Sequence, residues 1–477
     1  MSPTEGDNHS VNFFPATDSL VRIGSDGYKN SIAQNDSNFE PRVGFSWDLF
    51  HTGKTVLRGG YGFQVDQFLP GPLILSGNPP FATPFAFNVT TTGPQFTTYS
   101  TLLTDAAAGG LQPVAVDPNF KNGDVQTWNL NLQQQIAPTL GIMVGYFGAK
   151  GSHLSSALNL NQLVNGVRPF PNLSPTSPVI PDQCVGKPTC PLGNITQQAS
   201  IGNSNYNALW VTANKNLGHG LQFNASYTWS KSLDYNSRNF QGYTLQDSSN
   251  PRGDYGLSDF DVRNRFVISS VYELPFKGNR IYEGWRLSGI VQLQNGNPLN
   301  VITGLANLTG QGTLRPDILA TPVIVNKYRS DGGVQWFESN SDSVCDLRAG
   351  HVPCPAGAQF SIPSTAGGAF HLGNEHRNSI TGADFKNLDL SLAKTTRITE
   401  RLSVEFRTDA FDLFNHPNFG NPLSLTAAAQ TIGPPTATNP TGISPASTAF
   451  GIIRNTRFPN GDSGSSRQLQ FGMKFLF

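Results

Sequence analysis

The sequence predicts an all-β protein, an antiparallel transmembrane β-barrel with long loops at one end and short turns at the other. Three observations predict it: a final strand with one wholly apolar face, strands of period two along the chain, and connections that alternate short and long. In Arg467–Phe477, Leu469, Phe471, Met473, Phe475 and Phe477 fall on every second position, with Gln468, Gln470, Gly472 and Lys474 between them. A period of two places the first set on one face of a strand. The segment is long enough to cross a bilayer when tilted. In water such a strand is an aggregation hazard, whereas a barrel sets its apolar face in lipid. Taken alone, the segment also fits the closing strand of a soluble sandwich.

Composition narrows the choice. Of 477 residues, 37% are apolar and 13% charged, against roughly 45–50% and 25% in ordinary soluble domains. Disorder would carry more charge and fewer aromatics, but 10% of this chain is aromatic, with 32 Phe. The 49 Gly and 34 Pro call for many turns and loops. Lys plus Arg number 32 and Asp plus Glu 32, so no nucleic-acid partner is expected. No run approaches the 18–20 apolar residues of a membrane helix, so a membrane location requires strands closed into a barrel. Met1–Asn8 has neither a basic region nor an apolar core, so no signal peptide is read there.

Eleven period-two strands are expected near 42–49, 54–67, 124–136, 140–150, 205–216, 221–233, 260–276, 284–297, 384–396, 401–413 and 467–477. Leu221, Phe223, Ala225, Tyr227 and Trp229 share one face; Gln222, Asn224, Ser226 and Thr228 share the other. Trp128, Leu130 and Leu132 alternate with Asn129, Asn131 and Gln133, and Leu402, Val404, Phe406 and Ala410 with Ser403, Glu405, Arg407 and Asp409. Charges on the polar face suit a watery lumen. The connections at 50–53, 137–139, 217–220, 277–283 and 397–400 are short; those at 68–123, 151–204, 234–259, 298–383 and 414–466 are long. Structureless loops beyond about 15 residues are uncommon in compact domains, whereas tight turns at one rim and large loops at the other belong to membrane barrels. Trp47, Tyr61, Trp128, Tyr146, Trp210, Trp229, Tyr272 and Trp285 are candidates for interfacial girdles, some of which must face the lumen instead.

Bacterial barrels have an even strand count and both termini on the periplasmic side. An odd count that starts outside is therefore expected to be the C-terminal part of a larger barrel, with residues 1–41 a remnant of an external loop and 42–477 the barrel portion. Phe450–Ile453 is assigned to the last external loop, because a twelfth strand there would put the C-terminus outside. Cys184 with Cys190, and Cys345 with Cys354, form two close pairs in Pro/Gly-rich sequence. Their spacing does not fit a zinc ribbon, and they are read as two local disulfides of an oxidising compartment; four reduced thiols are the alternative.

Several blocks resemble the barrel of TonB-dependent receptors of the Oar-like type, abundant in acidobacterial genomes. They are Phe39–Asp48, Thr55–Gly62, Ser258–Val267 with Tyr272–Phe276, Phe406–Phe419 with its Phe-Asn-His-Pro-Asn-Phe run, and Arg467–Phe471. Asn264 stands where that family leads one to expect His. The resemblance implies an integral protein of the Gram-negative outer membrane, half of a 22-stranded barrel, with a plug and the missing N-terminal barrel half as partners. It implies ligand uptake energised through the TonB complex by the full-length parent. It also implies that the last strand, Phe477 above all, is read by the outer-membrane assembly machinery. Lipid is the remaining partner; an adhesive or structural surface role is the rival function.

The remaining motifs carry no chemistry strongly. His371-Leu-Gly-Asn-Glu-His376 lacks the spacing of a zinc-protease helix and reads as a loop entering a strand. Arg252-Gly-Asp254 reads as polar loop. Asp254, Asp259 and Asp261 form either an oxygen-rich cation site or, preferred here, a lumen-facing ladder with Arg263 and Arg265. Asn88, Asn194 and Asn307 begin glycosylation triplets of little meaning in a bacterium. No enzyme, catalytic residue, cofactor or resident metal is expected.

Overall fold

The computed structural model of the chain describes residues 9–24, 38–66, 75–84, 110–164, 166–237, 245–303, 314–337, 344–345, 358–364, 371–422, 431–432, 443–444, 450–457 and 466–477. Its framework is one antiparallel ladder of eleven strands in chain order. They are β1 (Arg42–Asp48), β2 (Thr55–Asp66), β3 (Gly123–Ala137), β4 (Leu140–Asn159), β5 (Thr196–Gly218), β6 (Leu221–Asp234), β7 (Asn264–Glu273), β8 (Trp285–Gln294), β9 (Phe385–Arg397), β10 (Ser403–Phe411) and β11 (Gln468–Leu476). Two short strands join it from the side, Val114–Val116 along β5 and Gly256–Leu257 along β6. The sheet is open: β1 pairs only with β2 and β11 only with β10 among the described residues.

The short turns explain the hairpins locally. Between β1 and β2, the Asp48 carboxylate accepts the backbone N–H of Gly53 at 2.7 Å, and His51 and Gly53 take φ of 56° and 69°. Between β5 and β6, His219 and Gly220 both have positive φ, 56° and 77°, which matches the right-handed twist of the flanking strands. A Cβ at Gly220 would sit 2.6 Å from the carbonyl oxygen of Glu273, so only glycine lets the turn lie against the next strand.

Register keeps one face in phase through every strand. Trp47 opposes Leu57, Tyr61 opposes Trp128, Leu130 opposes Tyr146 and Val144 opposes Val211. Leu209 then meets Trp229, Tyr227 meets Phe266, Ile268 meets Val291 and Leu287 meets Leu392. Leu390 meets Ala410 and Phe406 meets Met473. The opposite face pairs Arg58 with Asn131, Thr212 with Ser226, Asn224 with Ser269, Ser288 with Ser391 and Asp409 with Gln470. A slip of one residue in any pair would invert these faces.

The dry cores lie beside the sheet's loop end. One contains Val11, Phe13, Leu20, Leu111, Val179, Leu192 and Ile195. A second contains Leu299, Trp336, Phe337, Phe360, Ile380, Phe450 and Ile453, and two smaller clusters form around Phe120 and Leu245. A single sheet wall has no second layer to bury its apolar face in, so that face remains open along the strands. Phe471 is 65% exposed.

Three expectations are corrected, those for residues 1–41, 151–204 and 260–276. Residues 1–41 are more than a loop remnant, because Val11–Phe14 and Ser19–Arg22 form a hairpin packed into the first core. The connection expected at 151–204 is partly strand, since β4 continues into it as far as Asn159 and β5 begins within it at Thr196. Ile452–Ile453 does lie outside the ladder, as expected of the last external loop: it is a short strand that pairs with Val334–Gln335 in a separate three-stranded sheet. The strand expected over 260–276 is shorter, Asn264–Glu273.

Candidate functional site

A groove of about 370 Å³ crosses the face opposite the apolar one from β6 to β10, lined by Asn224, Ser269, Ser288, Asp389 and Asp409 together with the apolar Val271, Ile290 and Phe411. These residues sit on neighbouring strands at matching heights because the ladder between β6 and β10 has no bulge. The carboxylates are held. Asp409 accepts from Arg407 Nε at 2.8 Å, and Asp389 accepts the backbone N–H of Asp412 at 2.9 Å. Further toward the turns, Arg286 and Glu405 pair at 3.0 Å. Hydroxyls, an amide and held carboxylates set among apolar side chains can bind and release a solute of mixed polarity. Among the described residues, no group of three or more metal-ligating side chains converges.

Seven of the eight girdle candidates lie on the apolar face. Trp210 does not: it opposes Thr228 and Gly145 and packs 6.4 Å from Phe147 on the polar face. A Cβ at Gly145 would approach the Trp210 ring at 2.5 Å. On the apolar face, Trp285 lies under Lys394, whose ammonium is 5.7 Å from the ring centroid. Tyr227 donates to Asn264 at 2.7 Å, which gives the departure at Asn264 a defined structural part.

Over the loop end, two buried arginines tie distant segments. Arg377 donates to the Asp234 carboxylate at 2.6 Å, to Ser237 at 2.7 Å, and to the carbonyls of Asp234 and Asp254 at 2.7 and 3.2 Å. Arg315 pairs with Asp254 and donates to the Glu375 carbonyl at 2.8 Å. This corrects the expected ladder of Asp254, Asp259 and Asp261 with Arg263 and Arg265. Only Asp261 meets Arg263, at 3.6 Å; Asp254 belongs to Arg315, and Asp259 lies 3.5 Å from Arg377. Nothing in the sequence flagged Arg315 and Arg377, because their partners are 61 and 143 residues away.

Asp254 of the Arg-Gly-Asp run is 1% exposed. His371 binds Asp317 at 2.6 Å, and Glu375 accepts from Ser379. Burial pushes the Glu375 carboxyl above its ordinary value, against the lowering contributed by Ser379, His376 and Arg315. Asn194 accepts from Arg168 at 3.0 Å, while Asn88 and Asn307 lie outside the described residues.

Cys184 and Cys190 are joined in a disulfide beside the first core. Cys354 lies outside the described residues, and of Cys345 only the backbone, paired with Ser361, is described. Leu469, Phe471, Met473 and Phe475 line the apolar face of the edge strand β11, and Phe477 beyond it is 97% exposed.

An antiparallel wall with a mainly apolar face, a mainly polar opposite face, and short turns opposite long loops defines an integral β-barrel protein of the outer membrane. The chain belongs to the outer membrane beta barrel domain family, whose model matches residues 1–470. Among curated protein sequences, none matches it. Among solved structures, it is similar to the outer membrane transporter YddB from Escherichia coli, with 11% identity and TM-score 0.41 over 92% of this chain and 40% of that one. It is similar also to the ferric preacinetobactin receptor BauA from Acinetobacter baumannii (10%, TM-score 0.38, 92% and 36%). The third is the ferric citrate transporter FecA (10%, TM-score 0.36, 92% and 38%). The chain spans about two fifths of the length of these proteins.

Proposed function

We propose that this chain forms part of the wall of a ligand-importing receptor of the TonB-dependent, Oar-like type. The observation that carries the reading is the open eleven-stranded wall with a groove on the face opposite its apolar one. Because strands alternate in direction, β1 and β11 run the same way, so antiparallel closure at both edges needs an odd number of further strands. The remaining barrel strands and a plug would come from the parent protein, and energy from the TonB complex through that parent. The apolar row of β11, ending near Phe477, would be read by the assembly machinery. No catalytic step is assigned. The rival reading, an adhesive surface protein, draws support from the loop crown, which has hydrophobic cores and a disulfide of its own.

The test is an antibody against the C-terminal peptide, used to blot the outer-membrane fraction. A band of about twice 51.5 kDa or more supports a barrel completed by further sequence; a band at 51.5 kDa sinks it. Deletion then separates the two functions, since loss of ligand accumulation supports uptake and loss of attachment alone supports adhesion.

A further inference from the structure

The turn between β7 and β8 is built onto the apolar face of the wall. Trp285 and Lys394 are register partners in the apolar rows of β8 and β9. The Trp285 indole N–H donates to the Ile281 carbonyl at 3.0 Å. The Lys394 ammonium, over the Trp285 ring, donates to the carbonyls of Arg280 at 2.8 Å, Thr395 at 3.4 Å and Glu283. Two side chains of the lipid-facing rows thus hold the turn's backbone across the end of that face. Asn279 stiffens the turn from within, its side-chain oxygen accepting the N–H groups of Ile281 and Tyr282 at 2.9 and 3.2 Å.

This arrangement collects positive charge where the hydrocarbon ends. The 10 residues of β8, at ~3.4 Å each and tilted by about 40°, rise about 25 Å, the height of a barrel's apolar band. Trp285, at one end, therefore stands at the bilayer boundary on the side of the short turns, which face the periplasm in such barrels. Ile281 is 70% and Tyr282 62% exposed, and apolar and aromatic side chains at that depth form an interfacial belt. Beside them stand Lys277, Arg280 and Lys394, none of which meets a carboxylate within ion-pair distance among the described residues. Glu283 is the one acidic residue between β7 and β8, so the cations are in excess. Lys394 uses its three N–H groups on carbonyls and contributes only its field. The side chains of Lys277 and Arg280 make no hydrogen bond among the described residues and keep their donors.

We propose that the β7–β8 turn, together with Lys394, is a headgroup site for an anionic glycerophospholipid of the periplasmic leaflet. Lys277 and Arg280 bind the phosphate, Lys394 adds its charge from the wall, and Ile281 and Tyr282 pack against the glycerol and upper acyl region. The occupant follows from complementarity: it must carry its anion at headgroup depth and hydrocarbon beside it. A soluble anion would leave the apolar side chains unused, and a periplasmic protein would have to reach a surface folded onto the lipid side. The site lies on the outside of the wall, three strands from the open edge at β11, so strands that complete the barrel leave it uncovered. It holds whether the parent imports a solute or adheres.

The protein is purified from outer membranes in a non-ionic detergent, stripped of lipid, and offered phosphatidylglycerol and phosphatidylcholine in equal amounts. Native mass spectrometry reads the lipid retained. Phosphatidylglycerol is expected to be retained preferentially. Lys277→Gln combined with Arg280→Gln, both exposed positions, is expected to cut that preference by roughly thirtyfold. Arg397→Gln combined with Arg401→Gln at the neighbouring β9–β10 turn removes the same charge and is expected to leave the preference within about twofold. Equal retention of the two lipids by the parent protein, an unchanged preference in the first double variant, or an equal loss in both double variants overturns the site. Displacement of the lipid by millimolar inorganic phosphate overturns it as well, because the site would then bind the anion without its hydrocarbon.

Discussion

Removing the Arg377 side chain tests whether the loop crown is held by its buried ion pairs. The guanidinium is 4% exposed, and it is the hydrogen-bonding centre for Asp234 and Ser237 and for two backbone carbonyls. Arg377→Met keeps much of the aliphatic stem but strands the Asp234 carboxylate, whose side chain is 7% exposed. Breaking such a pair from one side costs about 3–5 kcal/mol, because a desolvated charge is left uncompensated. At 1.4 kcal/mol per tenfold, that raises local opening by roughly two to three and a half orders of magnitude. Amide hydrogen exchange reads local opening directly. Segments 254–259 and 376–381 are expected to lose protection by at least about a hundredfold, while the ladder between β6 and β8 keeps its own. Adding Asp234→Asn to Arg377→Met removes the stranded charge and is expected to restore much of the protection. A loss below about fivefold in the single variant, or no recovery in the double, would refute the argument. Exposed pairs give a contrast: breaking Arg454–Asp331, both partners more than one-third exposed, is expected to change little.

Three further outcomes follow from the same geometry. Leu390→Arg introduces a charge on the apolar face and is expected to cost about 2–4 kcal/mol near the midplane, lowering the amount assembled in the outer membrane. Ser391→Arg, one residue along on the groove face, should assemble nearly as well as the parent. Burial holds the Glu375 carboxyl above its ordinary value, so protonation favours the folded state. Its contribution is therefore full below about pH 4.5 and fades as pH rises through the folded value. Protection of 371–381 should increase as pH falls from neutral toward 5, and Glu375→Gln should flatten that rise. Replacing Cys184 and Cys190 by Ser opens a short loop and is expected to cost the first core about 2 kcal/mol, read as faster proteolysis near the 11–22 hairpin at unchanged barrel assembly.

How much was legible differs between wall and crown. The alternation in Leu221–Trp229 or Leu469–Phe475 is a local property, because successive side chains of any strand point to opposite faces. Strand number, turn positions and the apolar rows of the clearest strands could thus be read from the sequence alone. Trp210 shows where this stops. It belongs to a strand dense in aromatic and aliphatic residues, and its face was decided by the pairing of β4 with β5, which puts it over Gly145 rather than beside Leu209. Arg315 and Arg377 were invisible for a related reason: an isolated arginine in a long loop looks solvated until its carboxylate arrives from elsewhere in the chain.

The sequence by itself determined that this protein is an outer-membrane β-barrel wall, since period, length and turn chemistry act between near neighbours. The tertiary structure alone decided that the long connections fold into a braced crown, and that Asp254 and Asp259 are met by Arg315 and Arg377 from far along the chain. Those features depend on contacts between segments tens to more than a hundred residues apart. Their energy appears only when the ladder has brought the segments together, and no local pattern records it.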